Sequence, residues 1–344
     1  MNFSSDNVTG ACPEIAAAVA AANQGAAAAY GKDAETLDVE KQIAGVFGDT
    51  DADVFLVATG TASNALALSV LTPPYGAIYC HPEAHIQVDE CGAPEFYSGG
   101  AKLVLLPDRG GKISAADLAD ALDGEEGDVH HVKPAAVSIT QTAETGAVYT
   151  IDEVSAISKV AHDNGLKVHM DGARFANAVA ALGCSPADIT NKAGVDVLSF
   201  GASKNGAFAA EAIVLFDKGH GEDFAYRRKR AGHLFSKMRF LAVQFEAYLE
   251  DDLWLTMARH SNACSKILAE GLPTIDGITL KYPVDANMIF AELPNSVIEG
   301  LRGDGFRFYD WPGEARSTIR LVCAFNTRTE DVEAFVAAAK KHAS

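Results

Sequence analysis

Three short stretches of the 344-residue chain bring together residue types that could do chemistry in concert. "VHMDGARF" (168–175) closes an apolar run on Asp171, with Arg174 three residues on. "SFGASKNGAF" (199–208) sets Lys204 among glycine, alanine and serine, between one apolar run and the next, "AFAAEAIVLF". "ATGTASN" (58–64) places Gly60, Thr61 and Ser63 where an apolar run turns into a helix-like segment. An ammonium is costly to bury. In low-dielectric surroundings its pKa falls, and the free amine can condense with an aldehyde. A carboxylate at a buried strand end needs a cationic or hydrogen-bonded partner. A small-residue turn at a helix start offers N–H groups and a dipole to a phosphate. Singly, each has an ordinary structural explanation: a tight turn, an Asp171–Arg174 pair, a solvated lysine. Together they match pyridoxal 5'-phosphate, whose aldehyde takes a lysine and whose pyridine nitrogen needs a carboxylate to stay protonated and draw off carbanion charge.

These groups can meet only if the chain between them builds a common scaffold. "DVFLVATG" (53–60) leads into "TASNALALSVLT", a strand then a helix. "AIYC", "KLVLLP" and "AAVSITQ" read as further strands, and "SAADLADAL" (114–122) as a helix opened by Ser114. A helix over 150–165 ends at Gly165. Continuous apolar strands separated by helices predict a mainly parallel α/β sheet covered on both faces, with ligands at the strands' carboxyl ends. Asp171 and Lys204, one helix-and-strand unit apart, then fall on neighbouring strand ends. A long helical span is predicted over about 223–250, basic at its start. "NMIFAEL", "RFYDW", "STIRLVCAF" and a closing helix from Glu330 predict a smaller α+β domain. The expected division is a cofactor-binding large domain at 1–245, including the N-terminal segment, and a small domain at 246–344.

A formal net charge of −18 opposes nucleic acid or anionic membrane as a partner. An anionic ligand must therefore be held locally. The six cysteines (12, 80, 91, 184, 264, 323) include no C-x-x-C spacing and suggest a reduced chain rather than a disulfide framework. The alanine-rich stretch 15–29 lacks a basic start and follows Asp6 and Glu14, which argues against a signal peptide. No apolar run reaches membrane-spanning length, so a cytoplasmic protein is expected.

"DGAR" followed by "SKNG", with "TGTASN" and "HPEAHI" upstream, resembles the low-specificity threonine aldolases, a fold-type I pyridoxal-phosphate family. The similarity runs from "SSDNVTG" (4–10) to "IRLVCAFNTRTEDV" (319–332). It implies cleavage of β-hydroxy-α-amino acids, L-threonine and L-allo-threonine among them, to glycine and an aldehyde. It implies that Lys204 is the Schiff-base lysine, Asp171 the pyridinium partner, Gly60, Thr61 and Ser203 cofactor contacts, and His85 the imidazole stacked on the ring. Ser5, Arg174 and Arg320 resemble the groups that grip the substrate carboxylate, and Asp89 a contact to its hydroxyl. Tyr30 matches a tyrosine near a subunit-bordered site mouth, and a homodimer or homotetramer is implied. Many members carry a histidine in the stretch aligned with "SITQTAETG" (138–146), near the substrate hydroxyl; here Ala143 takes its place, leaving His85, directly or through water, to remove the hydroxyl proton. The usual "SKG-x-x-APVG" is "SKNGAFAAE".

Other readings stay open on the sequence. A β-eliminating or aromatic amino acid lyase would share Lys204 and Asp171. "YCHPEAHIQVDEC" (79–91) holds the metal-ligand types Cys80, His81, Glu83, His85, Asp89 and Cys91, the material of a zinc hydrolase. Pro82 disfavours a helix start at His81, and a stacked His85 beside an orienting Asp89 needs fewer assumptions, so no metal is expected. A Rossmann dehydrogenase is disfavoured because "ATGTASN" lacks G-x-G-x-x-G. His130 and His131 read as loop residues. In "YRRKRAGH" (226–233), Arg228 or Arg230 could reach a neighbouring subunit's cofactor phosphate, or the run could be a solvated helix start.

Overall fold

The computed structural model describes residues 1–124, 128–311 and 317–343. Strands β1 (Asp53–Val57), β2 (Gly76–Cys80), β3 (Lys102–Leu105), β4 (Lys133–Thr140), β5 (Lys167–Gly172), β6 (Val197–Gly201) and β7 (Glu211–Leu215) form one sheet in the order β1-β7-β6-β5-β4-β2-β3. From β3 to β6 every pairing is parallel, whereas β7 runs antiparallel to both β6 and β1. The reversal follows from chain length. The link 202–210 is too short for a parallel crossover, which takes about a dozen residues or more. Lys204 sits on that tight link.

β2, β6 and β7 are buried at every position, which is why they read as unbroken apolar runs. Alternate residues feed two cores on opposite faces: Val137, Leu198 and Val214 enter one, Ala136, Val197 and Ile213 the other. The helix Ala115–Leu122 opens at Ser114, whose side chain accepts the Asp117 N–H. The helix Ile151–Asp163 opens with a Thr150–Glu153 capping box and gives way to Gly165 at φ +75°.

The span 223–250 departs from the sequence expectation. It is two helices, Gly221–Arg230 and Arg239–Leu249. Gly232 at φ +79° follows the first, so the basic run closes a helix rather than opening one. There it complements the negative end of the dipole.

Strands β8 (Thr279–Leu280), β9 (Met288–Glu292), β10 (Tyr309–Trp311) and β11 (Thr318–Val322) form an antiparallel sheet in the order β10-β11-β9-β8. With the helices Asn295–Gly303 and Thr329–Ala343 it encloses a separate core. The long helix Leu253–Gly271 serves both cores, giving Trp254 and Met257 to the large one and Cys264 and Leu268 to the small one. Phe3, far away in sequence, joins the small core edge-on to Phe335 at 5.4 Å. The N-terminal segment then leaves the small core, and Cys12 N donates to Gly206 O beside the β6–β7 link. Among the described residues no helix is long and apolar enough to cross a membrane.

Candidate active site

The carboxyl ends of β4, β5 and β6 line up: Thr140 pairs with Asp171, and Asp171 with Ser199. A cavity of about 330 Å³ opens over them, with Gly60 and Thr61 on one side and Thr140, Asp171 and Lys204 below. Asp171 is buried, and its partners are hydrogen-bond donors rather than a cation. Asn64 Nδ2 donates to Oδ2 at 2.8 Å and Ala173 N to Oδ1 at 3.0 Å. The Asp171–Arg174 pair that spacing allowed is not formed. His169, two residues earlier on the same strand face, is fully buried between Ser138 Oγ (2.9 Å) and Ser199 Oγ (3.1 Å). Burial pushes its imidazole down to about 4.

Lys204 lies half-buried in a 3-10 turn, Ser203–Asn205. Ser203 Oγ accepts from Ala210 N, and Asn205 Nδ2 donates to Tyr248 Oη and Trp254 O, both at 2.9 Å. These bonds fix the backbone on either side of the amine. Glu211, at the start of β7, shares the cavity, and burial raises its carboxyl to about 7. Opposite, the helix Gly60–Leu71 begins at Thr59, whose side chain accepts from Ala62 N. The N–H groups of Gly60 and Thr61, the first in the helix, have no intrahelical acceptor. An amine, a hydrogen-bonded carboxylate and a free helix N-terminus around one cavity are the donor set that pyridoxal phosphate requires, and the residues fit it.

His85 begins a short helix, His85–Val88. Its Nδ1 lies 2.8 Å from Glu90 Oε1, which also accepts from Asn64 Nδ2 at 2.8 Å. The Glu90 hydrogen bond raises the His85 pKa against the opposing effect of burial. Burial in turn raises that of Glu90. The orienting carboxylate is therefore Glu90. Asp89, expected in that role, is exposed at the C-cap, because the helix stops there and the next residue turns inward. His81 belongs elsewhere, with Nε2 3.0 Å from Asp108 Oδ1, and Cys80 is buried in β2 with its thiol raised to about 12 by burial. Among the described residues no three metal-ligand side chains converge.

Of the remaining expected residues, Arg174 lines the cavity, whereas Ser5 and Arg320 lie outside its lining. Arg174 is buried and bidentate to Asp6: Nε donates to Oδ2 at 2.7 Å and Nη2 to Oδ1 at 2.9 Å. Despite burial, that guanidinium holds the Asp6 carboxyl below its ordinary range. One edge of Arg174 is thus already committed before any substrate carboxylate arrives. Ser5 does not line the cavity. Its Oγ accepts from Asn7 N at 3.1 Å and caps the turn Asp6–Val8, while Asn7 lines the cavity instead. Arg320 on β11 donates through Nη2 to Ser4 O at 3.2 Å and stacks on Tyr309 and Trp311. Its Nε is buried with no described partner, and burial and the charge of Arg174 lower its pKa. A guanidinium so placed calls for an anion.

Ala143 also departs from expectation: its side chain is part of the apolar core, and Glu144 lines the cavity from that loop. Arg228 is buried over the Phe55 ring and donates to Leu56 O within its own chain, Arg230 is exposed, and Tyr30 is half-exposed under Lys229. The sequence reading missed Asp6, Asn64, Glu90, Glu144 and Glu211. Asn64, one helical turn after Gly60, carried a usable signal; the rest were acids beside stronger candidates.

A family model described as beta-eliminating lyase matches residues 2–295. The chain is 47% identical to the low specificity L-threonine aldolase of Pseudomonas aeruginosa over 330 residues, covering 96% of this chain and 94% of that one. It is 44% identical to the low specificity L-threonine aldolase of a Pseudomonas species, covering 97% and 96%. A solved threonine aldolase from Leishmania major superposes with a TM-score of 0.94 at 30% identity, covering 100% and 99%.

Proposed function

The chain belongs to the beta-eliminating lyase family, and to the low-specificity threonine aldolases within it, and we propose that it cleaves L-threonine, L-allo-threonine and other β-hydroxy-α-amino acids to glycine and an aldehyde. The observation that carries this reading is the Lys204–Asp171 pair on adjacent strand ends beneath a free helix N-terminus. The family's cofactor is pyridoxal phosphate. When bound, it supplies the electron sink that bond cleavage at Cα needs.

This chain's residues divide the remaining work. Lys204 would hold the cofactor aldehyde, Asp171 the proton on its pyridine nitrogen, and the Gly60 and Thr61 N–H groups its phosphate, with Ser203 bracing the lysine turn. Arg320, with its spare Nε, and the uncommitted Nη1 of Arg174 would take the substrate carboxylate. Fixing that end of the substrate orients its Cα–Cβ bond. Glu90 keeps the His85 ring in place beside the cavity. The same reading includes a cytoplasmic location and a homodimer or homotetramer, the association supported by Phe208, which lines the cavity yet is 56% exposed.

The family model's name keeps a β-eliminating lyase as the second reading. An absorption spectrum of the purified protein tests the cofactor, and product analysis separates the reactions. Glycine and acetaldehyde from L-threonine support the aldolase. Ammonia and a 2-oxo acid from L-threonine or L-serine would replace it with the lyase.

A further inference from the structure

We propose that Glu144 is the base that takes the β-hydroxyl proton of the substrate. Its loop follows β4 and is held rigidly. Gln141 bonds the Tyr149 backbone twice, Nε2 to O at 2.9 Å and N to Oε1 at 3.0 Å, and Ala143 N donates to Ala147 O at 2.9 Å. Gly146, at φ +85°, packs so close to Met288 that an added Cβ would lie 3.1 Å from its carbonyl oxygen. With Ala143 anchored in the apolar core, Glu144 is the acid this loop presents to the cavity.

Its surroundings suit a base. Among the described residues the Glu144 carboxyl makes no hydrogen bond and no ion pair, although every other acid around the cavity, from Asp6 and Glu90 to Asp171 and Glu211, has a partner. The charged groups that face it are Lys204, Arg174, Arg320 and His85, which favour its ionised form, and Asp171, which opposes it. Burial raises its pKa, toward the range in which a general base works best. His85, by contrast, is committed through Nδ1 to Glu90.

The inference rests on the aldolase reading, and the step balances. Glu144 accepts the hydroxyl proton, and the O–H electron pair becomes the second C–O bond of the aldehyde. The Cα–Cβ bond breaks, its electron pair remains with Cα, and Cα takes a proton from water to become glycine. Glu144 returns its proton to water, so none is gained or lost overall.

Glu144→Gln keeps the shape and removes the acceptor. In the cofactor-loaded enzyme, kcat for L-threonine should fall by roughly 10²–10⁴-fold. The dissociation constant of glycine, which has no β-hydroxyl, should be unchanged when read from the cofactor's absorbance. The acid limb of the kcat/KM profile should vanish. Glu144→Ala should regain part of the rate with added formate. Near wild-type kcat in Glu144→Gln would overturn the inference, as would an equal loss of glycine binding, which marks a structural role. A wild-type enzyme that releases no glycine from L-threonine at all brings down the aldolase reading instead, and this inference with it.

Discussion

The floor and the outer wall of the cavity are built on opposite plans. Thr140 and Asp171 end successive strands of one sheet and Lys204 follows the end of the next, and hydrogen bonds within that sheet, its link or to the adjoining helix hold the floor. The wall is assembled from Asn7 of the N-terminal turn, Thr142 and Glu144 of the loop after β4, and Arg174, with Arg320 of β11 close enough to Arg174 and Glu144 to feel their charge. Its guanidiniums are only partly paired, and Arg320 Nε is orphaned. The difference separates two tasks. Hydrogen bonds that hold Asp171 and the lysine turn without substrate suit a permanent cofactor, whereas spare donors in the wall are left for a substrate that comes and goes.

The sharpest way to break this contrast is Lys204→Ala. Turnover should disappear, and borohydride, which should label the 199–208 segment of the wild type, should label nothing there. Label on another lysine would reassign the floor. Asp171→Asn should come next, losing most of the turnover because an amide cannot hold the pyridinium proton. A near wild-type rate would show that Asp171 is not the ring-nitrogen partner.

On the wall, Asp6→Asn leaves the Arg174 guanidinium buried and unpaired. Unfolding in urea should show a loss of about 3–5 kcal/mol. An unchanged midpoint at unchanged slope would mean that Arg174 finds another partner. His169 tests the floor by pH. Its folded pKa of about 4 lies below the ordinary 6.5, so the unfolded chain binds the proton more readily. Its contribution is complete above pH 6.5 and is lost as pH falls toward 4, by roughly 3 kcal/mol in all. His169→Gln should flatten that part of the stability curve, and a curve identical to wild type would deny the imidazole any part in it. The smallest effect is expected for Arg320→Ala. KM for L-threonine should rise roughly tenfold or more, the worth of one charged hydrogen bond, with the cofactor spectrum intact. An unchanged kcat/KM would make Arg320 an ordinary strand charge.

Legibility in the sequence follows the same division. Strands buried on both faces leave continuous apolar runs, and a polar residue just past such a run stands out, which is how Asp171 and Lys204 were visible. The wall depends on partners that no local pattern reveals: Asp6 and Arg174 are 168 positions apart. Elsewhere a single step along the chain decided the outcome. Asp89 and Glu90 are adjacent acids, and the end of a four-residue helix turns one to solvent and the other inward. Ala143 and Glu144 divide core and cavity in the same way. The break between 230 and 239 was hidden because Gly232 lies within an otherwise helix-like run, and its left-handed backbone is a property of the folded chain.

The N-terminal segment also sets an order of events during synthesis. Phe3 N donates to Arg307 O, Val322 N donates to Phe3 O, and the Arg320–Ser4 bond spans 316 positions. A ribosome adding about 5–20 residues per second needs roughly 15–60 s to cover that span. Throughout it Phe3 and Ser4 have no strand β11 to dock against. A nascent chain stopped short of β11 would carry all seven strands of the large sheet with the wall above them still open.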